Sequence, residues 1–277
     1  MGELRHICNF YVHLGWRTQY VGVESIKIGD IVYYFIDNEY YFGGPIYKGG
    51  NAEGEQYAYF CRAALEALPV LPKTGTVLVA GLGNRQVTPD AIGPRSTEFL
   101  LVTRHLVAEL PEDFGTLRPV AALAAGVTGS TGMESGEILG AVVEKLRPAC
   151  LIAVDALAAR RQERVCRTIQ VSDTGIVPGS GVGNARMALD QDHLGIPVIA
   201  IGVPTVVEAA TLCLDLLEEA GETAFDPALF RQPGAEWFVT PRNIDREVET
   251  LARILGLGIS TALHVDFSVE DVEKWIS

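Results

Sequence analysis

Leu151-Ile-Ala-Val-Asp155 is four apolar residues in a row closed by a carboxylate, and its reading decides the fold. A strand with one face in water alternates apolar with polar, whereas an unbroken apolar run must be covered on both faces, as in a parallel sheet sandwiched by helices. The same pattern recurs to either side. Thr76-Val-Leu-Val-Ala80 ends in Gly81-Leu-Gly-Asn84, Val120–Ala125 repeats the theme, and Ile196-Pro-Val-Ile-Ala-Ile-Gly202 makes a fourth run. Helical spacing between and after them predicts helices over Glu98–Val107, Ser135–Leu146 and Val206–Ala220. A final helix over Asn243–Leu263, with an apolar face at Val248, Leu251, Ile254 and Leu255, is expected to close the chain. Alternating strand and helix predicts an α/β protein with a mostly parallel sheet and helices on both faces. Two segments break the rhythm: Val165–Val171, read as an edge or antiparallel strand, and the long glycine-rich loop Ser172–Asn184.

The first fifty residues have a different texture. Val21–Ile28 alternates, Ile31-Val-Tyr-Tyr-Phe-Ile36 is β-branched and aromatic, and Asp37-Asn38 separates it from Tyr40-Tyr-Phe42, which predicts strands and a hairpin. A helix is expected over Glu53–Leu68, where Tyr57, Phe60, Cys61, Ala64, Leu65 and Leu68 recur at helical spacing. The chain therefore divides into a β-rich segment, 1–50, and an α/β unit, 51–277, within one structural domain. Its 277 residues, 48% of them hydrophobic, are ample for a packed core. The net charge of −13 argues against direct nucleic-acid binding. No apolar run approaches the ~20 residues of a membrane helix, and the Met1–His6 start has no secretory pattern. Five separated cysteines (Cys8, Cys61, Cys150, Cys166, Cys213) without a C-x-x-C pair predict buried free thiols and a cytoplasmic setting.

In open α/β sheets ligands gather beyond the carboxyl ends of the strands, where loops and helix N-termini converge. Asp155 stands at such an end. Asp90 lies in the loop Gly83-Asn-Arg-Gln-Val-Thr-Pro-Asp90 that leaves another, and the two are 65 residues apart. Two close carboxyls cannot both ionise cheaply, so one serves as base toward water and the other as acid. On position alone a structural reading outweighs the catalytic one: Asp90 caps the next helix and Asp155 hydrogen-bonds a loop. Other motifs carry less. Gly81-Leu-Gly lacks the third glycine of a dinucleotide fingerprint, because position 86 is Gln86, so no cofactor is expected. Pro178-Gly-Ser-Gly-Val-Gly-Asn184 has no following Gly-Lys-Ser/Thr and reads as a substrate-lining loop. Asp173-Thr-Gly175 matches the tripeptide of pepsin-like proteases, but those need two copies on an all-β fold. The five histidines show no metal-ligand spacing, and no Gly-x-Ser-x-Gly elbow occurs.

Several long strings in one order nevertheless resemble a known family. They are Gly81–Asn84, Val87-Thr-Pro-Asp-Ala91, Val154-Asp-Ala-Leu-Ala-Ala-Arg160, Ser172-Asp-Thr-Gly-Ile176, Pro178–Asn184 and Leu194–Val207. Together they resemble the spore germination proteases of endospore-forming bacteria, nearly unbroken from Leu78 to Ala209, with Phe238-Val-Thr-Pro241 and Gly258–His264 extending the likeness. The resemblance implies an endopeptidase of small acid-soluble spore proteins, classed with atypical aspartic peptidases. It also implies a fold like that of hydrogenase maturation endopeptidases (phosphorylase/hydrolase-like), a homotetramer, a spore-core location, and synthesis as a precursor. The family's two catalytic aspartates fall on Asp90 and Asp155, which reverses the weighing above. Gly83, Asn84, Asp173 and Ser180 become candidates for the substrate cleft, with no metal assigned. Two readings from other classes stay open: a metal-assisted peptidase on the same pair, and a non-catalytic relative that binds spore proteins. The family's processing stretch is similar to Arg17-Thr18 with Val23-Glu24, although Gln19 replaces an acidic residue. The chain is also shorter than typical members between Glu219 and Trp237, and Arg85-Gln86 replaces a Trp-Asn.

Overall fold

A strand that is apolar on both sides is stable only when both faces are covered, and the computed structural model shows the sheet covered in that way. The structure describes the backbone of four strands within residues 1–60. From residue 61 on it describes all but 63–64, 67, 69, 184–185, 223–225, 227–229 and 231–236. The strands are β1 (Phe10–His13), β2 (Glu24–Ile28), β3 (Ile31–Ile36), β4 (Glu39–Gly43), β5 (Val77–Leu82), β6 (Val120–Gly126), β7 (Cys150–Ala159), β8 (Thr168–Ser172), β9 (Val198–Glu208) and β10 (Phe238–Val239). They form one sheet in the order β2-β3-β4-β1-β8-β9-β7-β5-β6, with β10 added along β9.

The four strands read from the sequence as unbroken apolar runs, β6, β5, β7 and β9, lie side by side and pair in parallel. Here β8 turns the sheet mixed, running antiparallel to β9 on one side and to β1 on the other. The expected antiparallel strand is thus found, but inside the sheet and not at its edge. Alternate residues of each parallel strand enter opposite cores. Val77, Val79, Ile152, Val154, Ile199 and Ile201 pack with Val248, Leu251 and Leu255 of the Ile244–Leu263 helix. Leu78, Ala80, Leu151, Ala153 and Val198 pack with Leu139 and Val143 of the Ser135–Leu146 helix. Each such fully buried aliphatic side chain contributes on the order of 1.5–3 kcal/mol. Helices therefore cover both faces of the sheet.

Three expectations are corrected. The continuous helix over Glu98–Val107 does not form: a 3-10 turn, Thr97–Phe99, is followed by extended chain, and the next helix is Arg104–Glu109. The interruption has tertiary causes. The Leu101 amide donates to Ser260 Oγ at 2.9 Å, the Thr103 amide to the Val120 carbonyl at 3.1 Å, and the Val120 amide to Thr103 Oγ1 at 3.0 Å. These bonds draw the segment to the start of β6. Nor does the Ile244–Leu263 helix close the chain, because Val269–Ile276 forms one more helix, whose Val269 and Val272 pack against Leu101 and Leu257. Among the cysteines, Cys61, Cys150 and Cys166 are buried free thiols, but Cys213 is exposed. Burial pushes the Cys61 and Cys166 thiols up to about 12 and Cys150 to about 11, leaving all three unreactive near neutrality. Most of the helix expected over Glu53–Leu68 and the turn at Asp37-Asn38 lie outside the described residues, as does Cys8. Leu65 and Leu68 are described and belong to the core.

Candidate active site

The site is assembled where β5 ends and its pairing with β7 stops; β7 itself runs on to Ala159 beside β9, so Asp155 lies within its strand and not, as expected, at the carboxyl end. Immediately after β5, Gly83 takes φ +106°, a left-handed conformation that strains any residue with a Cβ. A Cβ there would also stand 2.2 Å from the Asp90 carbonyl oxygen and 2.8 Å from its Oδ1. Glycine is what lets the loop fold back over the strand end. Within the loop the Gln86 amide donates to Asn84 Oδ1 at 2.9 Å, a local turn, and the Asn84 amide donates to Asp90 Oδ2 at 2.7 Å. Pro89 pre-sets the three-residue 3-10 turn Thr88–Asp90. The next helix, Ile92–Ser96, lies across both strands through Gly93, where a Cβ would meet the Leu82 carbonyl at 2.2 Å and the Val154 carbonyl at 2.4 Å. The chain leaving Asp90 thus rests on the residue before Asp155, and the two carboxyls are close enough for the charge of one to act on the other.

Their environments differ. Asp155 is 5% exposed, and burial first and the charge of Asp90 second raise its carboxyl to about 7, against the opposing hydrogen bond from the Ala156 amide at 2.9 Å. Asp90 is also raised by burial but is held back by the Asn84 amide. As pH rises Asp90, the less raised of the two, ionises first, and Asp155 holds its proton up to about 7. Asp90 does not cap the next helix: Ile92–Ser96 has Ala91 as its N-cap with no side-chain bond, and the Asp90 carboxylate accepts from the Asn84 amide instead.

Of the other residues singled out from the sequence, Gly83 and Asn84 touch Asp90 directly. Ser180 begins a short 3-10 turn, Ser180–Val182, that packs on β7 three residues beyond Asp155: a Cβ on Gly181 would lie 3.3 Å from Ala158 Cβ. Asp173 is set back. It follows Ser172, which pairs with Ala200, two residues toward the amino end of β9 from Gly202, the partner of Asp155. Arg186 donates from Nη1 to Glu134 Oε1 at 2.5 Å, and Thr128 Oγ1 donates to the same oxygen at 3.1 Å, joining the glycine-rich loop to the loop after β6. Among the described residues no group of three His, Cys, Asp or Glu side chains is arranged to hold a metal ion. No helix among them is long and apolar enough to cross a membrane.

A family profile described as germination protease matches residues 55–220. A germination protease of Clostridium perfringens (strain SM101 / Type A) is 42% identical, with 83% of this chain and 78% of that protein aligned. One of Halalkalibacterium halodurans is 56% identical, with 73% and 69% aligned, and one of Bacillus velezensis is 41% identical, with 78% and 74% aligned. The solved [NiFe] hydrogenase maturation protease HycI of Thermococcus kodakarensis is 18% identical, with a TM-score of 0.39, over 73% of this chain and 99% of that one. A second profile, the starch synthase catalytic domain, matches residues 1–81. The stretch Arg17–Glu24, expected to carry precursor processing, falls inside that second match and before the first begins; all of it but Glu24, in β2, lies outside the described residues. From residue 55 onward sequence and relatives point one way: the chain belongs to the germination protease family and is a peptidase.

Proposed function

We propose that the chain is an endopeptidase that cleaves small acid-soluble spore proteins in the spore core at germination, with Asp90 and Asp155 as a water-activating pair. Family membership supports the substrate class, and the unequal burial of the two carboxyls supports the mechanism. Ionised Asp90 takes a proton from a water molecule as the water oxygen attacks the scissile carbonyl carbon. Asp155, protonated, donates to the carbonyl oxygen, and a tetrahedral diol forms. Return of the carbonyl double bond breaks the C–N bond, and the proton held on Asp90 passes to the leaving nitrogen. The products are a new carboxyl terminus and a new amine, and the hydroxyl proton restores Asp155. Gly83, Asn84 and the Ser180 turn line the approach of the substrate, and the working unit is a homotetramer.

The observation that carries this reading is the 5% exposure of Asp155 beside a second carboxyl, where β5 stops pairing with β7. Incubation with an acid-soluble spore protein, followed by mass spectrometry, should give discrete fragments with the unaltered protein. Asp90→Asn and Asp155→Asn should each cut the rate by at least ~10³-fold while circular dichroism stays native. Full activity in either variant would sink the assignment. A second reading places a divalent metal on the same pair. Two carboxylates alone are a poor donor set for a tightly held ion, and the described residues supply no third side chain. Activity that persists after exhaustive chelation, with no regain on adding Zn²⁺ or Mn²⁺, separates the two.

A further inference from the structure

Asp90 is carried on a half-buried turn of three residues, and its carboxylate accepts from the Asn84 amide. Two further ties hold the turn itself in place. Two residues before it, Thr88 donates from Oγ1 to Asp245 Oδ1 at 3.0 Å. Five residues after it, Arg95 donates from Nη1 to Glu249 Oε2 at 2.6 Å. Asp245 and Glu249 are four residues apart in the first turns of the Ile244–Leu263 helix and so share one of its faces. That helix is anchored in the core, with Val248, Leu251 and Leu255 at most 2% exposed. The half-buried turn is thus held on both flanks by one rigid element.

We propose that Asp245, through Thr88, is a positioning residue for Asp90, with the Arg95–Glu249 pair as its second support. The inference rests on Asp90 being a catalytic residue. Ties between exposed groups add little to folding, whereas a displacement of an ångström at a reacting group costs up to about a hundredfold in rate. Their contribution therefore falls on turnover. The charged groups around the turn among the described residues are Asp155, Asp245, Glu249, Arg95 and the Arg85–Glu98 pair that leaves the same loop. Breaking the Thr88 tie changes none of their charges when Thr88→Val is used, so any shift in pH dependence reports the distance between Asp90 and Asp155.

The test uses the full chain with an acid-soluble spore protein. Thr88→Val and Asp245→Ala should each lower kcat about tenfold with KM changed by less than about twofold. Melting temperatures should move by no more than about 3 °C. In Thr88→Val the alkaline limb of kcat should move to lower pH, because a more distant Asp90 raises Asp155 less. Thr88→Ser and Asp245→Asn keep the donor and the acceptor oxygen and should restore most of the rate. The double variant Thr88→Val/Asp245→Ala should be no slower than either single one. Unchanged kcat in Thr88→Val and Asp245→Ala overturns the inference. So does an Asp245→Asn as slow as Asp245→Ala, or a loss that only follows the folded fraction and leaves the pH limb in place. Asp90→Asn separates the two levels of the argument: activity there removes the catalytic pair, whereas an inactive Asp90→Asn beside a normal Thr88→Val removes the positioning role alone.

Discussion

Asp155 is an ionisable side chain in a place that disfavours its charge, and this ties function to stability. Its carboxyl is raised from the ordinary 3.8 to about 7 by burial and by Asp90. Below pH ~4 the folded and unfolded chains both hold its proton, and there is no penalty. Between there and about 7 the unfolded chain has lost the proton and the folded one has not, so stability falls as pH rises; above about 7 the loss is complete. At ~1.4 kcal/mol per pKa unit the full penalty reaches about 4 kcal/mol. Asp155→Asn should therefore melt higher than the unaltered protein at pH 8 and at the same temperature at pH 4, as thermal scans across that range would show. Equal melting temperatures at both pH values would contradict the raised carboxyl. The same titration removes the acid of the proposed pair, so cleavage should decline above pH ~7. At this scale the sequence was half legible. Asp155 was marked by its position, since four apolar residues followed by a carboxylate define a buried strand locally, though the strand itself runs on to Ala159. That Asp90 faces Asn84 and does not cap a helix was not, because a cap and a loop bond use the same residue types.

Elements divide into those whose signals are local and those whose limits are set from afar. The Ser135–Leu146 helix begins and ends where its periodicity said. The terminal Val269–Ile276 helix was also written locally, though unread: Ser268 Oγ accepts from the Asp271 amide at 3.1 Å while the Ser268 amide donates to Asp271 Oδ2 at 3.0 Å, a reciprocal cap announced by Ser-Val-Glu-Asp271. Ser268→Ala should cost about 1 kcal/mol and lower the melting temperature by roughly 2–4 °C, with peptidase turnover unchanged. The break at Leu100–Thr103 had no local signal, since its causes are Ser260, Arg118 and Val120, 15 or more residues away. Gly93 shows the same dependence. Nothing next to it demands glycine, yet two strand carbonyls leave no room for a Cβ. Gly93→Ala should push the Ile92–Ser96 helix off β5 and β7, costing about 1–3 kcal/mol of stability and, by moving Asp90, about a hundredfold in kcat. Chemical denaturation and steady-state rates together check both parts.

At the scale of the whole molecule, two family matches meet in one chain, germination protease from residue 55 and starch synthase over 1–81. The parallel strands, both carboxyls and the two covering helices all lie on the germination protease side of residue 55. A protein beginning at residue 55 should therefore keep kcat within about threefold. Its melting temperature should fall, because β1 no longer pairs with β8 and an unpaired sheet edge is left behind. Loss of activity together with a native circular dichroism spectrum would show that the first fifty residues take part in catalysis. What the sequence by itself determined is the layered parallel architecture and the buried strand that carries Asp155. Both follow from runs of neighbouring residues, and hydrophobic burial acts on such runs whatever the rest of the chain does. What only the tertiary structure decided is where the α/β elements stop and how Asp90 comes to face Asp155. Those outcomes depend on close backbone contacts at Gly83 and Gly93 and on hydrogen bonds such as Thr88 to Asp245, between residues 157 apart, and contacts of that range exist only once the sheet and its helices have packed.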